Sequence, residues 1–281
     1  MLNWTNADGL KIQAIHWPVE QPKAVVTLVH GIGEHIGRYE HVARWFNAHA
    51  VAVLGYDHQG FGRSDGPRGH ANSLEALLDD MGQALAETRR LHPGIPHFLY
   101  GHSLGGNLVL NYLLRRQPEL TGVIATAPWI RLAFPAPFLK VLAGRLLHRF
   151  LPTLRLPNGL AVQFISHDPA VVEAYQQDPL VHDRLSLAAG IQLLDASIWL
   201  DKFEGKTPVP LLLQHGGSDR LTNAAATADF AGRITGPVTH REWPGLYHEI
   251  HNEPEKEEVF AFTLDWMGKF LTIKKASVQI K

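Results

Sequence analysis

The 281-residue sequence contains no cysteine. Disulfides, thiol nucleophiles and cysteine-ligated zinc or iron–sulfur centres are therefore excluded. The absence also fits a reducing compartment, and a cytoplasmic protein is expected. No charge of one sign dominates: 26 Lys+Arg stand against 27 Asp+Glu, for a formal net charge of -1. That balance gives no basic footprint for nucleic acid. No apolar run reaches the roughly 18 residues of a transmembrane helix. The opening segment, MLNWTNADGL, lacks a basic stretch followed by an apolar one, so no signal peptide is expected. What is present is globular in composition, with 45% hydrophobic and 19% charged residues. The length suits one large α/β domain carrying an insertion.

Short apolar runs alternate with helical stretches. Residues 24–30 (AVVTLVH), 51–56 (VAVLGY), 97–101 (HFLYG) and 123–127 (VIATA) read as buried strands. Between them, helices are expected over 39–50, 73–91 with a Ser73 cap, and 103–116. From Pro128 to about Leu200 the rhythm breaks, with several prolines, no clear strand and a series of amphipathic pieces. It resumes with strands at 209–214 and 238–243 and helices at 223–234 and 257–272. The expected fold is α/β: a mostly parallel central sheet with helices on both faces. Its core comprises residues 1–127 and 201–281, and a helical cap is inserted at 128–200. The polar tail, 274–281, is expected to fray.

The segment YGHSLGG contains Gly101-x-Ser103-x-Gly105, the pattern of a nucleophile elbow. The bare pattern arises about 0.1 times by chance in a chain of this length, so context must carry the assignment. The context is right: the match sits where a strand gives way to a helix. A sharp turn there lifts the serine hydroxyl above the sheet and sets it at a helix N-terminus, which favours developing negative charge. Directly after the first buried strand comes HGIGE. Gly31 and Gly33 allow the backbone to turn so that the Ile32 amide faces a substrate carbonyl. The Leu104 amide, next to the nucleophile, is the second expected oxyanion donor.

In a fold of this kind the chain order is serine, acid, histidine. Asp219 follows the strand at 209–214, and His248 follows the one at 238–243. Position must do the selecting, because there are 17 histidines. His251 is the nearest rival base; His215 lies in the acid loop and His102 flanks Ser103. The HEIH at 248–251 is not HExxH, and no metal site is expected. The glycine-rich DHQGFGRSDG lacks the GxxxxGK[ST] pattern, so a structural turn is expected rather than a phosphate loop.

Together, HGIGEHIGRY, YDHQGFGRSDG, YGHSLGG, Asp219 and His248 resemble the monoacylglycerol lipase and lysophospholipase branch of the α/β-hydrolases. The segment YQQDPLVHDRLSLAAGIQLLDA is similar to that family's YxxDPL and GIQLLxA stretch. The resemblance implies Ser103 as nucleophile, Asp219 as orienting acid, His248 as base, and Ile32 and Leu104 as oxyanion donors. It implies Glu34, Tyr175 and His251 as polar contacts for the glycerol end of a substrate, with Arg38 pairing with Glu34. It implies no cofactor. Ile32 is bulkier than the family's usual residue there, which implies a narrower acyl entrance.

The expected activity is hydrolysis of carboxylic esters, monoacylglycerols first, through an acyl-enzyme on Ser103. Lysophospholipase and broad carboxylesterase readings share the same residues. A peptidase is disfavoured because the cap has no obvious acidic residues placed for an amino terminus. A non-catalytic receptor is disfavoured by the intact serine, acid and histidine. Within the cap, Leu139, Leu142, Leu146 and Phe150 form an apolar stripe, with Lys140, Arg145, His148 and Arg149 on much of the other side. Such a helix either packs its stripe on the core or lies on a membrane or lipid-droplet surface. The core-packed arrangement is the first expectation, and peripheral lipid contact is the second.

Overall fold

Runs of apolar residues without polar alternation can only form strands that are covered on both faces. The computed structural model describes residues 1–134 and 138–271, the side chains of 138–140 excepted. Its strands are β1 (Leu2–Thr5), β2 (Lys11–Trp17), β3 (Ala24–Val29), β4 (Val51–Tyr56), β5 (His97–His102), β6 (Gly122–Thr126), β7 (Arg155–Pro157), β8 (Arg184–Ser186), β9 (Leu211–Gly216) and β10 (Val238–Trp243). Eight of them make one sheet in the order β1-β2-β4-β3-β5-β6-β9-β10. The pairs β1/β2 and β2/β4 are antiparallel, and every pair from β4 to β10 is parallel. Every residue of β3, β4, β5, β6 and β9 is buried.

The helices are α1 (Glu40–Ala48), α2 (Leu74–Leu91), α3 (Leu104–Arg116), α4 (Phe138–Leu147), α5 (Pro169–Gln177), α6 (Leu187–Lys202), α7 (Ala224–Arg233) and α8 (Lys256–Leu271). Residues of α2, α3 and α7 pack with Leu99, Leu211 and Leu213 on one face of the sheet. Residues of α1 and α8 pack with Phe98, Tyr100 and Leu212 on the other. The alternation along β5 and β9 thus feeds two cores. Ser73 caps α2 through its side chain, as its sequence position implies. Asp57 accepts amides from Ile36 and Arg63 at 2.7 and 2.8 Å, so the glycine-rich loop is a structural turn.

Three sequence expectations need correction. Strands β1 and β2 were not anticipated; they extend the sheet by an antiparallel edge. The segment between β6 and β9 is not free of strand, because β7 and β8 pair antiparallel. The apolar stripe of α4 and the following turn does not pack on the core: Leu142, Leu146 and Phe150 are 45%, 64% and 81% exposed. The inward side instead carries Val141 and Gly144, which face a cavity. The tail at 274–281, Pro135, Pro137 and the side chains of Leu139 and Lys140 lie outside the described residues. Among the described residues no helix is long and apolar enough to cross a membrane.

Candidate active site

Ser103 joins β5 to α3 with φ 55° and ψ −113°, a left-handed backbone that a non-glycine residue rarely adopts. The flanking glycines make the turn possible. A Cβ at Gly101 would strike the Gly105 carbonyl, and one at Gly105 would strike the carbonyls of Val29 and His30 at the end of β3. So Gly105 is small because the chain leaving β3 passes directly beneath the turn. Leu104 opens α3, and its amide has no partner inside the helix. Asp219 follows β9 and His248 follows β10, so all three side chains rise from the carboxyl ends of parallel strands.

His248 Nδ1 donates to Asp219 Oδ2 at 2.7 Å. The side chain of Asp219 is wholly buried, and its other oxygen accepts the amides of Leu221 at 2.7 Å and Thr222 at 3.1 Å. Burial alone would raise the Asp219 pKa. The charge of His248 and the hydrogen bonds from His215 and His248 hold it far below the usual carboxylate range. Burial pushes His248 down, but Asp219, Glu249 and Glu34 outweigh it and leave the imidazole pKa raised.

Ser103 and His248 form walls of two different spaces. One is an apolar cavity of about 300 Å³ lined by Ile32, Trp129, Val141, Gly144, Gly190, Ile191 and others. The other is a smaller and more polar chamber of about 10 Å³ bounded by Gly31, Glu34, His102, Tyr175 and Glu249, with Ile32, Leu160 and Ile165 also in its wall. Leu160 and Tyr175 line both that chamber and an outer cleft of about 430 Å³.

The residues behind the chamber form one buried network. Glu34 accepts the Gly31 amide at 2.6 Å, the Tyr39 hydroxyl at 2.7 Å and Arg38 at 2.5 Å. Arg38 also holds Glu249 through two bonds of 2.8 Å each. Burial raises the Glu34 pKa against the pull of Arg38, whereas Arg38 overcomes burial at Glu249 and lowers it.

Ile32, Glu34 and Tyr175 come together around Ser103. Arg38 lies one layer back, with its guanidinium 4.6 Å above the Tyr175 ring. His251 differs from expectation. It stacks on Tyr39 at 4.9 Å and meets His102 edge-on at 4.7 Å, and it lines neither space beside Ser103. Buried among rings, with its pKa pushed well below normal by burial and by His102, it backs the site without facing it. Sequence reasoning missed Glu249, Thr222 and the contact of His215 with Asp219. Glu249 adjoins His248, but its partner is 211 residues away. No local pattern announces such a pair.

The family described as serine aminopeptidase, S33, matches residues 20–255. A monoacylglycerol lipase of Mycolicibacterium smegmatis is 33% identical over 273 residues, which cover 96% of this chain and 97% of that protein. An uncharacterized abhydrolase domain-containing protein of Dictyostelium discoideum is 40% identical over 253 residues, and there the chain spans only 27% of the relative's length. The crystal structure of Paleococcus ferrophilus monoacylglycerol lipase superposes with a TM-score of 0.82 at 30% identity, covering 92% of this chain and 99% of that one. With its elbow serine, parallel sheet and two-sided site, the chain belongs to this S33 family of α/β-hydrolases, in the monoacylglycerol lipase branch of carboxylic ester hydrolases.

Proposed function

We propose that the enzyme hydrolyses monoacylglycerols to fatty acid and glycerol through an acyl-enzyme on Ser103. The observation that carries this reading is the pair of unlike spaces sharing Ser103 and His248 as walls. An ester with an apolar acyl chain and a small polar alcohol matches that division. Ser103 Oγ attacks the ester carbonyl while His248 takes its proton, and Asp219 holds the imidazole tautomer and stabilises the imidazolium. The amides of Ile32 and Leu104 receive the oxyanion. The alcohol leaves with the proton from His248. A water activated by His248 then releases the fatty acid.

The polar chamber as it stands has room for about one water, the size of the deacylating nucleophile. In this reading the leaving glycerol uses the adjoining outer cleft, which shares Leu160 and Tyr175 with the chamber as lining residues. A glycerophosphocholine group needs far more room. The reading therefore favours monoacylglycerols over lysophospholipids. The test is a leaving-group series at fixed acyl chain: the methyl ester, the glycerol ester and the lysophosphatidylcholine. Glycerol and methyl esters should be cleaved at least tenfold faster. Equal rates on the lysophospholipid would overturn the assignment of the alcohol.

Residues 128–200 serve as the cap that roofs the apolar cavity. Outward exposure of Leu142, Leu146 and Phe150, with Arg149 also exposed nearby, supports peripheral docking of this cap on a lipid surface from the cytoplasmic side. Arg145 contributes less to such docking, because it is paired with Asp195 of α6.

A further inference from the structure

Asp219 carries more hydrogen bonds than orienting His248 requires. Its Oδ2 receives His248 Nδ1 at 2.7 Å, His215 Nε2 at 3.0 Å and the Thr222 hydroxyl at 2.9 Å. His215 ends in the interior: its side chain is 0% exposed, and its Nδ1 lies 2.8 Å from the hydroxyl of Thr227 on α7. A carboxylate only accepts, so His215 carries a proton on Nε2, and its Nδ1 is left to accept from Thr227. The Thr227 contact fixes which ring nitrogen faces the acid. Two histidines therefore compete for one carboxylate oxygen, one from the base loop and one from β9 itself.

We propose that His215 is a positioning residue that sets how strongly Asp219 pulls on His248. The proposal rests on Asp219 and His248 acting as acid and base. The His215 N–H has two effects. It spreads the charge of Asp219, which weakens its attraction for the imidazolium of His248. It also points a positive dipole end at that imidazolium. Both effects hold the base below the basicity that Asp219 alone would impose, and so keep it free to accept a proton at a lower pH. The anchor to Thr227 also limits rotation of the carboxylate, which keeps Oδ2 turned to His248.

The other groups around this pair are fixed by their own partners. His102 lies 4.7 Å from the His248 ring, Glu249 is held by Arg38 and Asn252, and Glu34 by Arg38 and Tyr39. Glu242 on β10 is in register with His215, and His240 of the same strand, in register with Leu213, has its pKa lowered by burial. None of them touches Asp219 Oδ2. The Thr222 hydroxyl does, and it also lies 3.2 Å from His215 Nε2 and 3.3 Å from His248 Nδ1, so a change at His215 reads out through Asp219 and this hydroxyl together.

The experiment is the pH profile of kcat/KM for a soluble short-chain ester with wild type, His215→Phe, His215→Gln and Asp219→Asn. In His215→Phe the donor is lost. The acid limb should move up by about half a pH unit, and kcat should fall about tenfold with KM within twofold. In His215→Gln an amide N–H can stand where Nε2 was, and the acid limb should return to the wild-type position. An unmoved limb in a folded His215→Phe, or a limb that stays shifted in a folded His215→Gln, would overturn the proposal. Asp219→Asn separates the two readings. Near-wild-type activity there removes the acid assignment itself, whereas loss of activity with unshifted His215 variants removes only His215. Far-ultraviolet circular dichroism and the unfolding midpoint qualify each variant as folded. If His215→Phe does not fold, His215→Asn takes its place, because its shorter amide reaches Thr227 but not Asp219.

Discussion

The two sides of Ser103 are built by opposite means. The apolar side is roofed by helices from the 128–200 segment, whose outer surface exposes Leu142, Leu146, Leu147 and Phe150. Few polar bonds define its shape; side-chain size does. The polar side is a buried ionic knot of Glu34, Arg38, Tyr39 and Glu249, tied to the Gly31 amide and to the base loop. One region tolerates a change of volume, and the other tolerates almost no change of charge. A hydrolase built this way can change the shape of its apolar cavity while the ionic side stays fixed.

That contrast can be broken or sharpened in order of effect. Ser103→Ala removes the wall both sides share, and turnover of every ester should fall by about 10⁴-fold or more, read as fatty-acid release. Arg38→Ala leaves two buried carboxylates without their partner, and should cost about 3–5 kcal/mol in denaturant unfolding. Gly190→Leu acts only on the apolar side. A Cβ there meets Leu185 at an ordinary 3.4 Å, so the backbone accepts the change and the longer side chain fills cavity. Kinetics on a chain-length series should show long-chain esters losing about 10- to 100-fold while a butyrate ester is spared. Exchanging a helical glycine should also keep or raise stability, by up to about 1 kcal/mol. Equal losses on short and long chains would show that the two sides are not independent.

The base gives a pH test of smaller size. His248 must be neutral to accept a proton, and its pKa is raised above the ordinary imidazole value. Activity should therefore be present above that raised pKa and fall about tenfold per pH unit below it. A profile flat down to pH 5 would contradict the role of His248. Phe150→Glu should have the smallest effect: several-fold weaker sedimentation with anionic vesicles, and unchanged cleavage of a soluble ester. Unchanged sedimentation would remove the lipid-surface reading of the cap.

Much of this was legible in the sequence where a motif has a mechanical cause. Gly101, Ser103 and Gly105 are spaced by the collision they must avoid, and Asp219 and His248 follow from chain order. Strand β2 alternates only over Ile12 and Ala14 before the pattern blurs at Ile15, so the antiparallel edge went unread. The direction of the α4 stripe was illegible for another reason. Periodicity shows that a helix has two faces but not which one meets the protein. Here small Gly144 and Val141 face inward, onto the apolar cavity. The Arg38–Glu249 pair and the His215–Asp219 bond depend on the folded approach of distant loops or on a side-chain direction, and neither leaves a trace in local sequence.

The central claim is that one serine stands between an acyl cavity and an alcohol chamber. It is tested most directly by fatty-acid release from a long-chain monoacylglycerol, with Ser103→Ala as the blank. Release by the wild type and none by the variant is the expected result. No release from the long-chain substrate, with a short-chain ester still cleaved, would contradict the account of the two spaces.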